Sequence, residues 1–88
     1  MSIKKENRKR IQALLPGGIY GPMIELIGNR EAVIEGCYGV VEYNDSLVSL
    51  NCKKTSVTFE GADINLKALS SDVIEVTGVF NCISFCSL

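Results

Sequence analysis

A chain of 88 residues, 47% of them hydrophobic and 22% charged, suits one small globular domain and excludes disorder along its whole length. At this size a chain buries only about 60% of its unfolded surface, which leaves little room for both a core and a deep catalytic cleft. The net charge of −1 hides a split. Residues 1–10 carry Lys4, Lys5, Arg8, Lys9 and Arg10 against Glu6, a balance of +4, whereas the rest of the chain carries four basic residues against nine acidic ones, or −5.

Residues 3–15 read as a short basic helix. Ile11, Leu14 and Leu15 recur at i, i+3 and i+4, one apolar stripe on a charged cylinder. Pro16-Gly17-Gly18 ends it, because proline lacks a backbone donor and glycine tolerates left-handed conformations. A helix of this length is marginal in water without a surface to lie on. The expected division is a basic helical arm with a Pro/Gly linker over residues 1–22 and a β domain over residues 23–88. No apolar run approaches the ~20 residues of a membrane-spanning helix. The segment Ile11–Leu15 is too short for a signal-peptide core. The expected location is the cytoplasm, with the cysteines as thiols.

Beyond residue 22, short runs rich in branched and aromatic residues start roughly every 8 residues, the rhythm of an antiparallel sandwich or small barrel. Eight strands are expected: Met23–Ile27, Ala32–Glu35, Tyr38–Tyr43, Leu47–Cys52, Thr55–Glu60, Ile64–Leu69, Val73–Phe80 and Asn81–Cys86. Several alternate as a half-buried strand should, with Val57 and Phe59 opposing Ser56, Thr58 and Glu60. Gly36, Gly61 and Gly78 are each placed at a strand end, as a turn or bulge. A weak repeat pairs Val33-Ile34-Glu35-Gly36 with Thr58-Phe59-Glu60-Gly61. After one inserted residue it pairs Gly39–Asn51 with Asn65–Thr77. Two such copies can form the halves of a sandwich or two coils of a short β-solenoid. Solenoids usually need three or more units, which favours the sandwich.

The chemistry is sparse. Histidine is absent, which removes the commonest general base and the Ser-His-Asp and Cys-His pairs. The four cysteines (Cys37, Cys52, Cys82, Cys86) lack a C-x-x-C knuckle. On one strand Cys82 and Cys86 stand about 13 Å apart, too far for one zinc ion or one disulfide. They read as small apolar or surface thiols. Pro16-Gly17-Gly18 follows a helix and precedes a strand, the reverse of a phosphate-binding loop. Glu25, Glu31, Glu35, Glu42, Glu60 and Glu75 are scattered singly over different strands, as solvated sheet carboxylates are. No catalytic residue, metal, cofactor or small-molecule substrate is expected. The acidic body argues against a nucleic-acid reader.

From about Leu15 to Phe85 the chain resembles the YabP/YqfC family of sporulation proteins from endospore-forming bacteria. The resemblance is carried by Leu15-Pro16, Ile24–Glu31 (IELIGNRE), Ile34-Glu35-Gly36, Gly39–Tyr43 (GVVEY) and Leu47–Asn51 (LVSLN). It continues through Val57–Gly61 (VTFEG), Ile64–Lys67 (INLK), Val73–Gly78 (VIEVTG) and Ile83-Ser84-Phe85. The Leu-Pro lead-in and the Ile-Gly-Asn turn look closer to the YqfC branch. Gly17, Gly18, Gly21 and the cysteines depart from the pattern. The resemblance implies an all-β, immunoglobulin-like sandwich of about 7–8 short antiparallel strands, working non-enzymatically in the mother cell. It also implies a membrane-bound sporulation protein as partner. Lys4, Lys5, Arg8, Lys9 and Arg10 are then the candidate contacts with that partner or with an anionic membrane. Self-assembly into a homo-oligomeric structural protein is the alternative.

Overall fold

The computed structural model describes residues 21–88. Six strands cover most of this range: β1 (Met23–Ile27), β2 (Glu31–Glu35), β3 (Cys37–Asn44), β4 (Leu47–Cys52), β5 (Thr55–Ala68) and β6 (Val73–Ser87). They form one sheet in the order β1-β2-β6-β5-β4-β3, and every neighbouring pair is antiparallel. No helix occurs among the described residues; the expected basic helix lies outside them.

The all-β expectation holds, but the eight separate strands do not. Thr55–Glu60 and Ile64–Leu69 join as β5, and Val73–Phe80 and Asn81–Cys86 join as β6. The expected sandwich of two sheets is one continuous sheet instead. The solenoid alternative is excluded, because stacked coils pair in parallel and here all pairs are antiparallel.

The sheet is strongly bent. In the sheet order β2 and β3 are four positions apart, about 19 Å in a flat sheet at ~4.8 Å per strand. Yet Gly36 alone links Glu35 to Cys37, and two peptide steps reach no more than about 7 Å. The sheet must therefore fold back on itself. One half comprises β1, β2, the start of β6 and the end of β5. The other comprises the end of β6, the start of β5, β4 and β3.

The fold line crosses β5 and β6 at two irregularities. One extra residue lies on β6 between the Glu60↔Cys82 and Gly61↔Phe80 pairs, and one on β5 between Ala62↔Val79 and Asn65↔Thr77. Such bulges bend a strand and raise its twist without ending the pairing. The β5 bulge also inverts the side-chain parity: Val57 and Phe59 face inward before it, Ile64 and Leu66 after it. Asp63 takes a left-handed φ of 56° there. Gly61 and Gly78 thus sit inside strands rather than at strand ends. A Cβ on Gly61 would stand 1.8 Å from the Val79 carbonyl oxygen, so only glycine allows the two strands this close. Gly36 does end β2, at a φ of 98°.

Loops brace these bends. The β3–β4 turn accepts N–H donors from Gly61 (to Ser46 O, 3.0 Å) and Ile64 (to Asp45 O, 2.9 Å). The β1–β2 turn meets the β6 bend, where Phe80 N–H donates to Asn29 O at 2.7 Å and Asn29 Nδ2 donates to Phe80 O at 3.2 Å. The β5–β6 turn supplies Asp72 O, which accepts from both Gly36 and Cys37 N–H.

The core lies between the two halves. Ala32, Ile34 and Val76 come from one half; Cys37, Val48, Leu50, Cys52, Val57 and Phe59 from the other; Ile64 and Phe80 sit at the bend. All are buried. Phe59 and Phe80 pack with centroids 5.1 Å apart and planes tilted by 54°, an arrangement that adds about 0.5–1.5 kcal/mol beyond area burial. No polar residue is buried among the described residues.

Candidate interaction surface

Lys4, Lys5, Arg8, Lys9 and Arg10 lie outside the described residues. The candidate interaction surface is the edge strand β3, together with the outer face of the β1–β2–β6 half.

Among the described residues, strand β3 pairs with β4 on one side only. Its sequence CYGVVEYN is rich in the aromatic and β-branched residues that favour extended backbone, but its pairing is interrupted between Cys37 and Gly39 and again between Val40 and Glu42. The consequence is an edge whose apolar side chains are not swallowed by the core: Tyr38 is 68% exposed, Val41 61%, Val40 47% and Tyr43 46%. Tyr43 has a structural role as well. Its hydroxyl accepts the Leu66 N–H at 3.2 Å and so caps the outer side of β5 beyond the bend, where β4 no longer covers it. Among the described residues, β3 thus combines unpaired backbone with contiguous exposed apolar side chains, the combination that strand addition uses.

The second feature is a shallow groove of about 400 Å³ lined by Met23, Ile24, Glu25, Val33, Glu35 and Val73. The pairing register explains it. Met23, Glu35 and Val73 are direct partners across β1, β2 and β6, and so are Glu25, Val33 and Glu75. Because Ile34 and Val76 face the core, these two rows face outward. Apolar floor and acidic rim alternate on one face, and among the described residues no basic one lines the groove. Such a lining matches a cationic amphipathic segment better than an anionic ligand.

The outer face of the other half is polar. Ser49 and Thr58 share a hydrogen bond of 3.1 Å there, and the register sets Thr58 beside Ser84. Cys82 and Cys86 are exposed on this same face, opposite Glu60 and Ser56.

The other two cysteines behave differently. Cys37 and Cys52 are direct cross-strand partners at the start of β3 and the end of β4. Both are buried, with sulfur atoms 2.7 Å apart. Burial, then the contact with Cys52, pushes the Cys37 thiol well above its ordinary range. Burial raises Cys52 too, although its bond to Cys37 works in the opposite direction. The juxtaposition is not evident from the 14 residues that separate the two. The Asn44–Ser46 turn was the available signal, but counting outward from it in perfect register sets Lys54 opposite Cys37. Two one-residue slips bring Cys52 there instead.

The scattered glutamates stay on strand surfaces, and no group of three or more potential metal ligands occurs among the described residues. No described helix is long and apolar enough to cross a membrane.

No curated protein and no solved structure matches the chain. The family model of the YabP family matches residues 21–87, which run from the glycine before β1 to the last residue of β6. The whole bent sheet, with the Asn29 brace and both edge strands, is therefore the matched unit, and the chain belongs to the YabP family.

Proposed function

We propose that this chain is a sporulation-related, non-enzymatic adaptor of the YqfC branch. Membership of the YabP family supports the sporulation part. The branch rests on the Leu15-Pro16 lead-in and the Ile27-Gly28-Asn29 turn. The observation that carries the adaptor role is the exposed apolar edge of β3, from Tyr38 to Tyr43. A protein partner adds a strand to this edge, and backbone hydrogen bonds give affinity while Val41 and the two tyrosines give selectivity. The partner is a membrane-bound protein in the mother cell, and the adaptor works on the cytoplasmic side.

Lys4, Lys5, Arg8, Lys9 and Arg10 then lie against the anionic leaflet. Each basic residue near such a surface contributes about 1 kcal/mol, so a net +4 turns a weak protein contact into stable recruitment. Flotation of the full chain and of a chain lacking residues 1–10 on vesicles with anionic lipid tests this part. The full chain is expected to float and the truncated chain to remain behind, with the difference vanishing at high salt. Equal flotation of both removes the membrane contact from the proposal.

Self-assembly is the second reading, favoured by the presence of two edge strands, β1 and β3, at opposite ends of the sheet order. Light scattering separates the two readings. An adaptor stays monomeric as concentration rises, whereas an assembling protein grows.

A further inference from the structure

We propose that Cys37 and Cys52 are a modification site: the two thiols condense to a cross-strand disulfide when a disulfide oxidant is available, fastening edge strand β3 to β4. The pair is placed for this by the sheet itself. Directly opposed residues of an antiparallel ladder have Cα atoms about 4.5–5.5 Å apart, inside the range of about 4.4–6.8 Å that a disulfide spans. Cys37 and Cys52 are such a pair, and their side chains already meet in the core. Cys82 and Cys86, on a single strand and on the solvent face, have no such partner among the described residues.

The location gives the bond a purpose. Cys37 follows the Gly36 corner, where the chain crosses from one half of the sheet to the other. The pairing of β3 slips one residue later, before Gly39. Without a covalent tie, the start of the edge strand is held by a single ladder pair ahead of the slip, by the Asp72 carbonyl and by apolar packing. A bond at this point pins the strand that the adaptor reading offers to a partner. The chemistry itself is independent of that reading.

The reaction is thiol–disulfide exchange. One cysteine sulfur attacks the oxidant's disulfide and expels one thiol. The second cysteine sulfur then attacks the mixed disulfide and expels the other. Two cysteine S–H bonds and one oxidant S–S bond are replaced by one protein S–S bond and two small thiols, so two electrons pass to the oxidant. Buried thiols are poor nucleophiles, so exchange takes place while the β3–β4 hairpin is open, and folding then shields the product.

The test refolds the reduced full chain in a mixture of oxidised and reduced glutathione, unfolds it in the presence of an alkylating agent, and maps the peptides without reductant. A peptide pair joined through positions 37 and 52 is expected, whatever Cys82 and Cys86 carry. Alkylation of both Cys37 and Cys52, or linkage of either to Cys82 or Cys86, overturns the proposal. The variant Cys82→Ser/Cys86→Ser supplies an independent readout. Its melting temperature after oxidation should fall on the order of 10 °C when reductant is added, and an unchanged value overturns the fastening role. Both readouts are independent of any partner, so they stand even if the adaptor reading fails.

Discussion

The two copies of the internal repeat solve one geometric problem in two ways. Each must carry the chain from one half of the bent sheet to the other just after a core residue, Ile34 in the first copy and Phe59 in the second. The first copy breaks the strand: Gly36, at a φ of 98°, makes a one-residue corner and β3 starts afresh as an edge. The second copy keeps the strand whole and bends it, with Gly61 pressed against Val79 and a bulge at Ala62–Ile64. The inserted residue of the second copy falls in that bulge. A corner frees an edge strand with exposed tyrosines and valines, whereas a bend keeps β5 paired with β6 on both sides of the fold line. The broken copy supplies the exposed edge, and the continuous copy supplies the frame.

This contrast can be broken most severely at the glycines. Gly61→Ala forces a Cβ into the Val79 backbone and should cost about 4 kcal/mol or more, enough to unfold so small a domain. Gly39→Ala, on the first copy's edge strand, meets nothing within 4 Å and should change stability by no more than about 0.5 kcal/mol. Urea melts of both variants check the difference.

The matched core positions come next. Phe59→Ala should destabilise by about 3–5 kcal/mol and Ile34→Ala by about 2–5. The loss at Phe59 should be the larger, because its ring also packs on Phe80. If Ile34→Ala proves costlier, the weight of the core lies in the other half.

The smallest effect concerns pH. Both buried thiols hold their protons in the folded chain beyond the ordinary thiol value of 9.0. Below that value neither state loses a proton and the shifts contribute nothing. Above it the unfolded chain ionises first, so the stability of the reduced protein falls as pH rises. Melting temperatures of the reduced protein should therefore drop between pH 8.5 and about 10.5. The drop should shrink after oxidation of the Cys37–Cys52 pair.

Strand existence, the polar turn at Asn44–Ser46 and the all-β class were legible in the sequence because alternation and turn chemistry are local signals. Asn44 Oδ1 accepts the Ser46 N–H at 2.9 Å, the interaction those residues predict. The continuity of β5 and β6 was not legible. A bulge inverts side-chain parity without ending the pairing, and from sequence the switch between Phe59 and Ile64 reads as a new strand. Continuous pairing of β5 with β6 across both bulges is what makes one bent sheet. The β3 edge was hidden for a related reason: Tyr38, Val40, Val41 and Tyr43 look like core residues until the sheet order leaves them uncovered. The basic arm was legible as charge, and charge says where a surface attracts rather than what it meets.

On the adaptor reading, a partner joins at the β3 edge. A photoreactive residue placed at Val41, on the exposed edge, and separately at Ser84, on the polar outer face beside Thr58, tests it in sporulating cells. Discrete crosslinked species are expected from position 41 and none of those species from position 84. Identical adducts from both positions, or adducts from position 84 alone, would contradict it.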